Sequence, residues 1–177
     1  MGFCIPEEAA VAGLDVMANI ARGSMKYYYY AVKNALVVTA GQFTSGATAA
    51  FILVPLETTG LEADATLRDH DDLAALIAGS SNEQTTMGRK VLVAADLAAL
   101  PAPTDGSEIQ DLDFPDVTWT APTGNAVGKI AVCFRPLTAS ADSACIPIFF
   151  QNVTITPDGN DVVYTPNAAG VYRSKDD

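Results

Sequence analysis

Asp116-Val-Thr-Trp119, Val127-Gly-Lys-Ile-Ala-Val-Cys-Phe-Arg135, Ile146-Pro-Ile-Phe-Phe-Gln-Asn-Val-Thr-Ile-Thr156 and Asp161-Val-Val-Tyr-Thr165 follow one another with only short breaks. The breaks are Pro-Thr-Gly-Asn at 122–125, Pro136 with a small-polar loop at 138–144, and Pro-Asp-Gly-Asn at 157–160. Runs of this length, rich in β-branched and aromatic residues and split by turn formers, predict antiparallel strands rather than a doubly wound enzyme fold. Asp158-Gly159 supplies the left-handed backbone preference of a tight hairpin turn. Trp119 follows Val117 on the same side of an alternating strand, which predicts a packed side chain rather than a presented one.

Working towards the N-terminus, residues 88–95 read as a further strand. The nearly all-apolar run at 49–56 reads as a central one. Between them, 57–72 carries six acids. Asp69 is placed to cap a helix there, with Asp72 at its third position, Leu73, Leu76 and Ile77 as its buried face, and Gly79 closing it. His70 is the only histidine. Its flanking aspartates, Asp69 and Asp71, resemble a metal site, but helix-start chemistry accounts for them and no second His or Cys cluster accompanies them.

The 105–116 stretch gathers five acids. It lacks the ligand ladder of a helix–loop–helix calcium site and reads as a solvated loop, with a looser calcium site as the alternative.

Lys26 is followed by Tyr27, Tyr28, Tyr29 and Tyr30, then by an apolar run at 31–39. In a strand, Tyr27 and Tyr29 would share one face, and Tyr28 and Tyr30 the other. Four adjacent tyrosines give large contact area at low entropy cost, which points to an interface. A covered central strand or a short helix is the alternative.

Residues 1–25 differ from the rest. Pro6-Glu7-Glu8 suits a first helical turn, Leu14, Met17 and Ala21 recur at helical spacing, and Arg22-Gly23 supplies a stop. With Gly13 inside it, this helix is weak alone. Leu14 and Met17 then belong either to the chain's own core or to an arm that orders on a neighbouring subunit. The expected organisation is an N-terminal helical arm at 1–25 and one β-rich domain at 26–177. That domain is an antiparallel β-sandwich or jelly-roll-like core with one or two short helices.

Composition bounds the function. The chain has 177 residues, 49% hydrophobic and 18% charged, with 21 acids against 10 bases and a net charge of −11. Nucleic-acid binding needs a basic footprint, and docking on anionic lipid needs the same sign, so neither is expected. The apolar runs reach about ten residues, short of the ~18 a spanning helix requires. Glu7 and Glu8 occupy the place where a signal peptide carries basic residues. Cys4, Cys133 and Cys145 have no metal-like spacing and read as reduced thiols of a protein made in a cytosol. No nucleophile elbow, phosphate loop or zinc-protease motif is present, so no catalytic, cofactor or metal residue is assigned.

The order of these signals resembles the small β-rich virion structural proteins of tailed bacteriophages. The matching stretches are 49–56, 69–77, 88–92, Asp116-Val-Thr-Trp119, 129–134 and the Asp-Gly turn within 156–161. The resemblance implies a virion component, made in the host cytoplasm, that forms homo-oligomers and binds major capsid or other virion proteins. Capsid decoration is the leading function. A neck or tail component, or a receptor- or glycan-binding module using Trp119 and the tyrosines for stacking, is the alternative.

Overall fold

The computed structural model describes residues 28, 31–32, 36–39, 42–45, 49–97, 109–112, 114–166 and 172–175. The described chain is mainly β and its strand pairs are antiparallel. The principal sheet has four strands in the order β4-β3-β7-β8: β4 is Lys90–Leu92, β3 Ala50–Glu57, β7 Val127–Arg135 and β8 Ile146–Ile155. Three two-stranded ribbons accompany it. These are β1 (Leu36–Thr39) with β2 (Gln42–Ser45), β5 (Ile109–Leu112) with β10 (Tyr172–Lys175), and β6 (Val117–Trp119) with β9 (Val162–Tyr164).

Both faces of the four-stranded sheet are covered, which explains why β3 and β7 read as continuous apolar runs rather than alternating ones. On one face Phe51, Leu53, Ile130, Val132 and Phe134 pack with Val117, Trp119 and Tyr164 of the β6–β9 ribbon. On the other, Ile52, Val54, Leu56, Ala131 and Cys133 pack beneath two short helices, α1 (Asp64–Asp69) and α2 (Leu73–Ala78), through Leu67, Leu73 and Leu76. The period-2 alternation of each strand divides its side chains between two cores.

Pro55 lies inside β3, where a missing N–H would ordinarily break the ladder. Its carbonyl accepts from the Gln84 N–H at 2.9 Å. In an extended residue N and O point to the same side, so the missing donor faces this loop and not β7. β4 pairs only with Phe51, Ile52 and Leu53, and the proline sits past its end.

Several expectations change in detail. The single helix opened by Asp69 is two: Asp69 ends α1, His70 is extended, and Asp72 is the cap of α2, its Oδ1 accepting from the Ala75 N–H at 2.7 Å. Capping at Asp72 places Leu73 and Leu76 together against the sheet. The strand expected at 88–95 spans only Lys90–Leu92, because Asp96 folds back to accept from the Val93 N–H at 2.8 Å.

Part of the acidic stretch is strand β5 rather than loop. Tyr28, Ala31 and Val32 have helical backbone, the short-helix alternative, and the strand starts at Leu36.

The Asp158-Gly159 turn is present, with Gly159 at φ +87, but it closes no hairpin. β9 pairs with β6 instead of β8, so the chain crosses from the sheet into the covering ribbon. The turn is anchored by the Gly159 N–H donating to Pro122 O at 2.9 Å, and Asp158 Oδ1 accepts from the Asn160 N–H at 3.0 Å.

Candidate functional site

β8 is the surface with the strongest claim to function. It is ten residues long, carries no charged side chain, and lies at the edge of the sheet. Among the described residues no strand pairs with its outer side. Ile148, Phe149, Val153 and Ile155 reach one core and Phe150 the other, yet each is only partly buried. Ile146 is 38% exposed and Leu137, across the β7–β8 loop, 40%. Edge strands are ordinarily blunted by charge, by brevity or by proline. Here only Pro147, the second residue, serves that purpose.

The loop that leads into β8 is held firmly. Arg89 binds Glu83 through Nε and Nη2, each at 2.7 Å, and Asp142 through Nη1 at 2.6 Å and Nη2 at 2.8 Å. This double fork raises the Arg89 pKa and holds the Asp142 carboxyl below the usual carboxylate range. Cys145, just before β8, accepts from the Leu73 N–H at 2.9 Å through its carbonyl and so ties α2 to the same corner. Cys133 and Cys145 are free, buried thiols of one core, and burial pushes both thiol pKa values up. Such thiols are poor nucleophiles.

His70 does not sit in a catalytic arrangement. Its Nε2 bonds Glu62 Oε2 at 2.8 Å, and the same carboxylate oxygen accepts from Ser81 Oγ at 3.2 Å. Glu62 Oε1 accepts from the Ser80 N–H at 3.3 Å. A nucleophilic serine needs the imidazole as its partner. Here the hydroxyl of buried Ser81 goes to the carboxylate, so the cluster ties the 62 and 80–81 loops together. The His70 hydrogen bond, above all, lowers the Glu62 pKa. Among the described residues no group of His, Cys, Asp and Glu has the arrangement of a metal site.

Trp119 is buried at 1% exposure, and its Nε1–H donates to Gly88 O at 2.8 Å. Its ring therefore offers no platform for an external ligand. Lys90 Nζ lies 5.9 Å from the ring centroid. Of the residues expected at an interface, Tyr28 is half-buried and its ring centroid stands 4.5 Å from that of Phe134. Leu14, Met17, Tyr27, Tyr29 and Tyr30 lie outside the described residues, as does Cys4.

Sequence reasoning found β8 as a strand but missed it as an exposed edge. The signal was there in part: ten residues without a charge in a chain of net charge −11. Among the described residues no helix is long and apolar enough to cross a membrane. Compared with protein-family models, curated proteins and solved structures, the chain matches none.

Proposed function

We propose that this protein is a virion structural protein of the tailed-bacteriophage kind, serving as capsid decoration: a non-enzymatic clamp on neighbouring coat subunits. The observation that carries this reading is the outer edge of β8, a long uncharged strand with partly buried apolar side chains on both faces. Such an edge gains main-chain hydrogen bonds and buries apolar area when a neighbouring strand adds to it. A protein assembled around copies of itself or of a coat subunit keeps that edge covered. The acidic balance fits protein partners better than nucleic acid or anionic lipid. The Tyr27–Tyr30 run and the 1–25 arm supply further contact area in this scheme.

The glycan-binding alternative loses its main stacking residue, since the Trp119 ring is buried. Purifying intact particles and locating the chain by electron microscopy tests the reading. Density for the chain at regular positions over the capsid lattice supports decoration. Density confined to the neck or tail, or no association with particles, rejects it.

A further inference from the structure

Lys129 is the one charged residue among the buried polar residues of the described chain, at 7% exposure. It lies on β7 directly opposite Asn152 of β8, on the sheet face that carries Ala131, Cys133 and the helices. Its Nζ donates to Asn152 Oδ1 and stands 2.8 Å from Asp64 Oδ1, at the first residue of α1. An amine, a carboxamide and a carboxylate thus meet on two hydrogen-bonded strands. Because Oδ1 is bonded to Cγ, the amine stands beside the electrophilic carbon of the amide.

We propose that Lys129 and Asn152 form an intramolecular isopeptide bond, made by the folded chain itself with Asp64 as the proton relay. The lysine ammonium passes one proton to the Asp64 carboxylate, and the free amine attacks Asn152 Cγ. The attacking nitrogen gives up a second proton as the tetrahedral centre forms, and the centre collapses as both protons, relayed through Asp64, reach the departing amide nitrogen. The Nζ–Cγ bond forms, the Cγ–Nδ2 bond breaks, and the nitrogen leaves as ammonium. One lysine ammonium and one carboxamide become one secondary amide and one ammonium ion, with Asp64 restored and no oxidant or reductant needed. Holding the two groups together replaces an encounter in solution by a reaction of high effective molarity. Asn152 is exposed, so the ammonium ion departs directly to water. The reaction happens once per chain, and its product staples the edge strand β8 to central β7.

Intact mass spectrometry of the full-length purified chain tests this. The expected mass is about 17 Da below that of the sequence, one ammonia lost. Trypsin, which cuts after unmodified lysine, is expected to leave the Lys129–Ile130 bond uncut. Succinimide formation at Asn152 would lose the same mass, and Lys129→Arg separates the two: the full mass is expected in this variant, and persistence of the deficit overturns the proposal. Full mass and normal cleavage in the unmodified chain overturn it as well. Asp64→Asn, a change at an exposed side chain, is expected to leave freshly made protein at full mass at least tenfold longer. Cross-linking at the unmodified rate would remove Asp64 from the relay role.

Discussion

β7 and β8 are hydrogen-bonded neighbours of nearly equal length, and both read as apolar strands in the sequence. Most residues of β7 are buried, whereas none of β8 is fully so. The difference comes from sheet order. β7 has a strand on either side and a core on either face, while among the described residues β8 has a strand on one side only. Composition therefore does not decide which apolar strand is core and which is contact surface. For β8, apolar residues stand where the described fold covers them only in part, which is the surface the proposed partner would cover.

The largest effect should come from truncating the central strand. Phe134 is 1% exposed and packs against Tyr28 and Phe51. Phe134→Ala is expected to destabilise by about 3–5 kcal/mol, the usual range for a buried aromatic. Phe150→Ala on β8 should lose less than half as much, read from denaturant midpoints with unchanged slopes. Equal losses would erase the distinction between the two strands.

Arg89→Ala should come next, at about 2–3 kcal/mol, since it leaves Glu83 and Asp142 without their charged partner. Its pH dependence sharpens the test. The folded Asp142 pKa is depressed by the Arg89 hydrogen bonds. The stabilisation is therefore present above the ordinary carboxylate range and lost as pH falls through the folded value. The stability gap between unmodified protein and Arg89→Ala should narrow on acidification below about pH 4. A gap constant with pH would show that the fork contributes through packing alone.

Much of the fold was legible. β3, β7, β8 and the Asp158-Gly159 turn carry local signals, in β-branched runs and punctuating Gly and Pro, that survive into the structure. Long-range pairing left no such mark. That β9 joins β6 rather than β8 depends on Val117, Trp119 and Tyr164 sharing a core with the sheet, which no local spacing reveals. The division of the helix at His70 turned on a choice between two aspartates, both good caps, settled by which one places Leu73 and Leu76 on the sheet. The edge position of β8 and the meeting of Lys129 with Asn152 and Asp64 are products of strand order and register. Neither was visible in one dimension.

A smaller effect is expected at the turn where the chain leaves β8. Gly159 has φ +87 and open space around the position of a Cβ. Gly159→Val should therefore lose only the backbone term, about 1–2 kcal/mol, with no added steric penalty. An unchanged melting temperature would mean that the turn relaxes without strain.

The smallest effect on stability, and the most direct test of β8 as an interface, comes from placing charge on its open edge. Ile146 and Thr154 are exposed. Ile146→Lys with Thr154→Lys should shift stability by only about 0.5 kcal/mol, as surface changes do. Lysines on an edge strand oppose the addition of another strand. The measurement is binding of the unmodified and doubly substituted proteins to particles stripped of the native protein, with melting curves recorded on the same samples. The substituted protein is expected to melt like the unmodified one and to fail to reattach. Reattachment at undiminished affinity would contradict the role of β8 as an interface.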